Sequence, residues 1–134
     1  RTPTLLNVEM TGPYGHDGAY TTLEAIVRHH LNPAEAILNY DTGQLEPGVQ
    51  TDDWGTNTLR AMNALEARRS AGLFAIQNVF LSDEEISDIV EFLKALTDPC
   101  VKNRNCLQRW IPNDSDTDPD NLRVRAVDAD GNPL

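Results

Sequence analysis

Apolar residues recur at helical spacing in three stretches of the chain, most clearly between Ser82 and Pro99. Ile86, Ile89, Val90, Leu93 and Leu96 make one stripe, Ser82 and Glu85 are spaced as a capping box, and Asp98-Pro99 ends the pattern. Thr58 to Ala71 predicts a second helix, with Leu59, Met62 and Leu65 on one side and Arg60, Glu66, Arg68 and Arg69 mostly solvated. Gly72 stops it, and Leu73 to Leu81 reads as a short apolar link. In the third stretch Leu23, Ile26, Val27 and His30 fall at i, i+3, i+4 and i+7, behind a Thr21–Glu24 capping box, so a helix starts at Thr21 or Thr22. His30 is thereby placed on the apolar side, and His29 is turned about 100° away from it.

Asn32-Pro33-Ala34-Glu35 restarts a short helix that ends near Tyr40, with Asn32 as cap and Pro33 at the first helical position. The remaining chain is connection. Arg1 to Thr11 alternates loosely and reads as extended up to Gly12-Pro13, and three glycines and a proline between Gly12 and Gly18 allow close backbone approach. Asp41 to Asn57 is a long polar excursion, in which Trp54 reads as an anchor in preference to an exposed aromatic for a partner. From Cys100 onward the chain is loop-like, with an acidic run from Asn113 to Asn121 and a short strand or strap from Leu122 to Val127. The expected fold is mostly α, with three or four helices and long ordered loops.

The chain has 134 residues, 40% of them hydrophobic, which is enough for one domain with a core. A net charge of −10 argues against a nucleic-acid groove or an anionic membrane surface, both of which need clustered Lys and Arg; a basic protein partner or a metal cation fits better. No apolar run approaches the roughly 18 residues of a membrane helix, and none resembles a signal peptide. The chain also opens without methionine, and is expected to be a piece of something longer. Cys100 and Cys106 suit a small disulfide-closed loop in an oxidising compartment, two free thiols in a reducing one being the alternative.

All three histidines, His16, His29 and His30, lie in a short stretch beside the glycine-rich loop. A helical His on an apolar side is ordinarily a hydrogen-bonded core residue. No cysteine lies near enough for a Cys/His zinc site, and the three histidines alone would reach one zinc only if the loop folded back on the helix. The acidic runs DSDTDPDN and DADGN lack the combination of Gly and distant Glu that an EF-hand loop requires, so they read as solvated. A Ser-His-Asp or Cys-His nucleophile has no support.

The run RTPTLLNVEMTGPYGHDGAYTTLEAIV, followed far downstream by LSDEEISDIVEFLKALTDP, resembles the C-terminal domain of bacterial di-haem cytochrome c peroxidases and their MauG-type relatives. The resemblance covers about Arg1 to Val27 and Leu81 to Pro99, and its most specific part is the Pro-Tyr-x-His-Asp-Gly loop set before a Thr-Leu-Glu helix start. It implies a partial cytochrome c-like domain of a periplasmic oxidoreductase, with one c-type haem in each of two domains and calcium between them. The C-terminal haem would relay electrons to a peroxide-handling haem. Residues 1–99 would be the portion of the C-terminal haem domain, and 100–134 a loop-rich extension.

Carried over by position, the calcium-binding backbone carbonyls fall on Thr11 and Pro13, the loop histidine is His16, and the haem's distal axial ligand falls fourteen residues later on His30. The family has Met or Tyr there; a second imidazole implies a lower potential than Met gives. Arg1 sits at a usually basic position that would meet a haem propionate. The CxxCH that would attach the haem is absent, so haem c would be held by an upstream part of the same protein, and this piece has no catalytic residue of its own. Other implied partners are a donor cytochrome or cupredoxin, or else a protein substrate, with a homodimer as a further option; nucleic acid and membrane insertion are not expected. The leading reading is peroxide reduction by the whole enzyme. The alternatives are a MauG-like oxidase acting on a protein side chain and a non-enzymatic electron-transfer or interaction module.

Overall fold

A computed structural model of the chain describes residues 3–45, 48–74, 76–112, 115–117 and 120. The described residues carry five α-helices: α1 (Leu23–Leu31), α2 (Pro33–Leu38), α3 (Trp54–Ser70), α4 (Asp83–Ala95) and α5 (Arg104–Leu107). Short 3-10 turns lie between them, and no strand is present among the described residues beyond an isolated Tyr14–Tyr20 bridge. The mostly α architecture agrees with the expectation. The chain divides into two units, Arg1–Thr97 and Asp98–Leu134.

In the first unit α1 packs against α2 and α4, and α2 touches α3. Leu23 on α1, Ile86 on α4 and Tyr20 just ahead of α1 are the buried hydrophobic residues among those described. The α4 stripe behaves as its spacing predicts: Ile86 is buried, and Ile89, Val90, Leu93 and Leu96 are half-buried. Its capping box is complete, with Ser82 N donating to Glu85 Oε2 (2.8 Å) and Glu85 N to Ser82 Oγ (3.3 Å). Donation to Glu85 Oε2 from Ser82 N, and then from Ser82 Oγ (2.9 Å), holds the Glu85 carboxyl below its ordinary pKa. At the other end Asn7 N donates to Leu96 O (3.2 Å) and Thr97 Oγ1 to Glu9 Oε2 (3.0 Å), tying the start of the chain to the end of α4.

Four local expectations are corrected. The first eleven residues are not extended throughout: Asn7, in the left-handed region at φ 60°, turns the chain into a 3-10 turn over Val8–Met10. The cap of α1 is Thr22, which accepts from Ala25 N, while Thr21 turns to Gln44 Oε1. Helix α3 begins at Trp54, so the polar excursion is shorter than its composition suggests. The Arg69 side chain is 8% exposed: it donates to Ile76 O (3.0 Å), Asn78 Oδ1 (2.9 Å) and Glu66 Oε1 (2.6 Å). With Val79 N bonded to Leu31 O, this pins an apolar link that leaves Leu73 77% and Phe80 78% exposed.

The second unit is turned, not featureless. A 3-10 turn over Pro99–Lys102 leads to α5, whose Asn103 cap accepts from the amides of Asn105 and Cys106. Cys100 and Cys106 form a disulfide across this turn, with S–S 2.04 Å. Arg109 lies over the ring of the exposed Trp110, 5.1 Å from its centroid. The strap expected over residues 122–127 lies outside the described residues, as does much of the acidic run. No helix among the described residues is long and apolar enough to cross a membrane.

Candidate functional site

The glycine-rich loop and α1 form one wall of an open cavity of about 810 Å³, closed from the other sides by the segment after α2 and by α3. That size lies within the roughly 300–1,000 Å³ of ligand and cofactor sites. The loop closes on itself, because Tyr14 N donates to Tyr20 O (2.7 Å) and Tyr20 N to Tyr14 O (3.0 Å). Between these bonds φ is positive at Gly15, Asp17 and Gly18. Gly18 is required sterically as well: a Cβ there would approach Pro13 Cγ to 2.8 Å. Pro13 and Gly18 thus pack against each other, and the loop holds out His16, whose side chain is 98% exposed and lies 3.5 Å from Asp17 Oδ2.

Helical spacing misplaces the two adjacent histidines. His30 is exposed and His29 is half-buried, the reverse of the expectation. Periodicity reports only α1's own stripe. Tyr20, which precedes the cap, packs along the helix against His29 near its far end, leaving His30 the more exposed; both histidines line the cavity.

Their hydrogen bonds give the two imidazoles different chemistry. His30 Nδ1 lies 2.8 Å from Ile26 O. A carbonyl only accepts, so Nδ1 carries the proton and neutral His30 keeps its Nε2 lone pair free. His29 Nδ1 lies 2.8 Å from the Tyr20 hydroxyl. The phenol can donate or accept, but as the more acidic partner it is the stronger donor of the pair, which favours the neutral His29 tautomer with its proton on Nε2. Burial first, and the nearby His30 second, hold His29 below its ordinary pKa. Burial, then Tyr40, raises the Tyr20 phenol.

The Tyr20 ring meets Tyr40 edge-on at 5.5 Å, and Tyr40 meets Trp54 at 5.6 Å. Tyr40 OH in turn donates to Ala19 O (2.5 Å). Trp54 is therefore anchored on Tyr40, yet 39% exposed at the cavity wall. The donor set suits haem: an aromatic and aliphatic lining, with one imidazole presenting a free lone pair. Covalent attachment is not among the functions these residues supply.

The structure brings His16 and His30 to one cavity. Thr11 and Pro13 stand exposed just ahead of its loop, and Arg1 lies outside the described residues. No group of three or more His, Cys, Asp or Glu side chains able to hold a metal ion occurs among the described residues. Sequence reasoning missed Tyr20, Tyr40 and the pairing of Tyr20 with His29. Two of these aromatics lie outside any helical stripe, and the only available signal was their density around α1.

No family model and no solved structure matches the chain. The methylamine utilization protein MauG of Paracoccus denitrificans (strain Pd 1222) is 30% identical to it over 103 residues, 73% of this chain and 22% of that protein. The chain spans about a fifth of the length of this curated relative. The match supports a MauG-related family for the chain.

Proposed function

We propose that the chain is the C-terminal, electron-relaying portion of a di-haem c-type, peroxidase-like oxidoreductase of the periplasm, with His30 as axial ligand to the haem iron. The hydrogen bond from His30 Nδ1 to Ile26 O carries this reading, because it leaves the ligating nitrogen free at the wall of an apolar cavity. Haem seated there supplies one-electron chemistry; the chain supplies the pocket, the ligand and the His16 loop. The exposed Leu73, Ile76 and Phe80 support a unit that packs against further protein bearing the attachment cysteines. The Cys100–Cys106 disulfide supports the oxidising compartment. Calcium on the carbonyls of Thr11 and Pro13, and Arg1 near a propionate, belong to the same proposal.

The decisive measurement is intact mass with a haem stain on the protein purified from its own host. A haem-bearing polypeptide that contains this chain or co-purifies with it is expected. A haem-free species of 14.9 kDa standing alone would overturn the proposal. In the haem-bearing protein, His30→Ala should change the absorption spectrum and the potential, and no change removes the ligand assignment.

The similarity to MauG favours a second reading, in which the oxidised substrate is a side chain of a partner protein. Peroxide turnover with a reduced donor cytochrome or cupredoxin supports the first reading. A mass shift on a partner protein supports the second, and neither result supports an electron-transfer or interaction module.

A further inference from the structure

We infer that Tyr20 is a positioning residue that selects between the two adjacent histidines, masking His29 so that His30 alone is offered to a metal at the cavity wall. The inference rests on the haem reading for the identity of that metal and deepens it.

A choice is needed because both rings line one cavity, with centroids 5.9 Å apart. Neighbouring helical residues diverge by about 100°, which alone would send only one of them inward. Here the wall curves around both. The selection is made by what each Nδ1 faces. Opposite His30 is the carbonyl of Ile26, an obligate acceptor, which fixes the proton on Nδ1 and the lone pair on Nε2. Opposite His29 is a phenol hydroxyl, which can accept but is far the stronger as a donor to an imidazole nitrogen, and so favours the lone pair on Nδ1 and the proton on Nε2. For His29 to ligate through Nε2, its proton would have to change nitrogens and the hydroxyl would have to give up its stronger role as donor for that of acceptor.

Tyr20 is held in place. It is 7% exposed, its backbone is bonded in both directions to Tyr14, and its ring stands edge-on to Tyr40. The other two tyrosines of the chain donate to backbone carbonyls, Tyr14 to Glu9 O and Tyr40 to Ala19 O. Tyr20 is the tyrosine paired with an imidazole.

Two measurements test this, and they separate it from the haem reading. In the haem-free state, long-range proton–nitrogen correlation should show neutral His29 protonated at Nε2 and neutral His30 at Nδ1. Protonation of His29 at Nδ1 overturns the inference whether or not haem binds. In the haem-bearing protein, His30→Ala should abolish the low-spin ferric resonance. Adding Tyr20→Phe, which keeps the ring but removes the hydroxyl, should restore a low-spin resonance through the unmasked His29, and adding His29→Ala should remove it again. The inference is overturned if His30→Ala retains a resonance that depends on His29 while Tyr20 is intact, or if Tyr20→Phe restores nothing. If the protein holds no haem, the haem reading falls, and the tautomers alone decide whether Tyr20 masks His29.

Discussion

Helix α1 has two different neighbourhoods. Towards α4 it meets a capped helix with an apolar stripe, and the residues that matter there, Leu23 and Ile86, are buried. Towards the cavity it meets aromatic side chains that touch one another around an open volume of about 810 Å³. The first side is packed against other helices of the chain. The second pairs apolar walls with two imidazoles whose Nδ1 atoms meet unlike partners, an arrangement suited to receiving a group and not to filling space. The comparison teaches that close packing and the open cavity belong to different neighbours of one short helix.

If the α4 side carries the stability, Ile86→Ala should cost about 3 kcal/mol in urea unfolding, through lost transfer energy and the cavity left behind. Val49→Ala, a 47% exposed residue on the cavity wall, should shift the same midpoint by less than about 0.5 kcal/mol. Equal losses would remove the distinction. A smaller effect is expected at the loop: Gly18→Ala meets both a φ of +69° and the 2.8 Å approach to Pro13, and should cost about 1–2 kcal/mol. That change should also move His16, which a shift in the His16 ring resonances would report. Smaller again is Ser82→Ala, which removes the α4 cap and should cost about 1 kcal/mol without altering either histidine.

The two sides were also unequally legible in the sequence. The α4 side follows local rules: stripe spacing and a Ser-x-x-Glu box specify the helix and its buried residue, and the Asn32 cap and Pro33 specify the start of α2. The loop motif was legible as well, because positive φ and close approach demand glycine at Gly15 and Gly18. The assignment of buried and exposed roles to His29 and His30 was not. It depends on Tyr20 packing against His29, a contact set by the closure of the loop and not by anything periodic. Arg69 was misplaced for a related reason, since its acceptors lie on an irregular segment that helical spacing does not describe.

The smallest expected effect concerns His29, and its sign follows from burial. The half-buried ring, close to His30 and Tyr20, has its pKa held below the ordinary value of about 6.5 by burial first and His30 second. Between that ordinary value and the lower folded one, the unfolded chain binds more protons than the folded chain, so stability must fall as pH falls. Above about pH 6.5 both states are neutral at this site, and below the folded value both are charged, so the loss is confined to the window between. Carboxylates add their own acid dependence, which a variant can subtract. The urea midpoint should therefore drop more between about pH 7 and about pH 5 in the unaltered protein than in His29→Gln, which does not titrate. An identical drop in both would mean that burial does not hold His29 below its ordinary pKa, and the contrast between the two histidines would lose its electrostatic support.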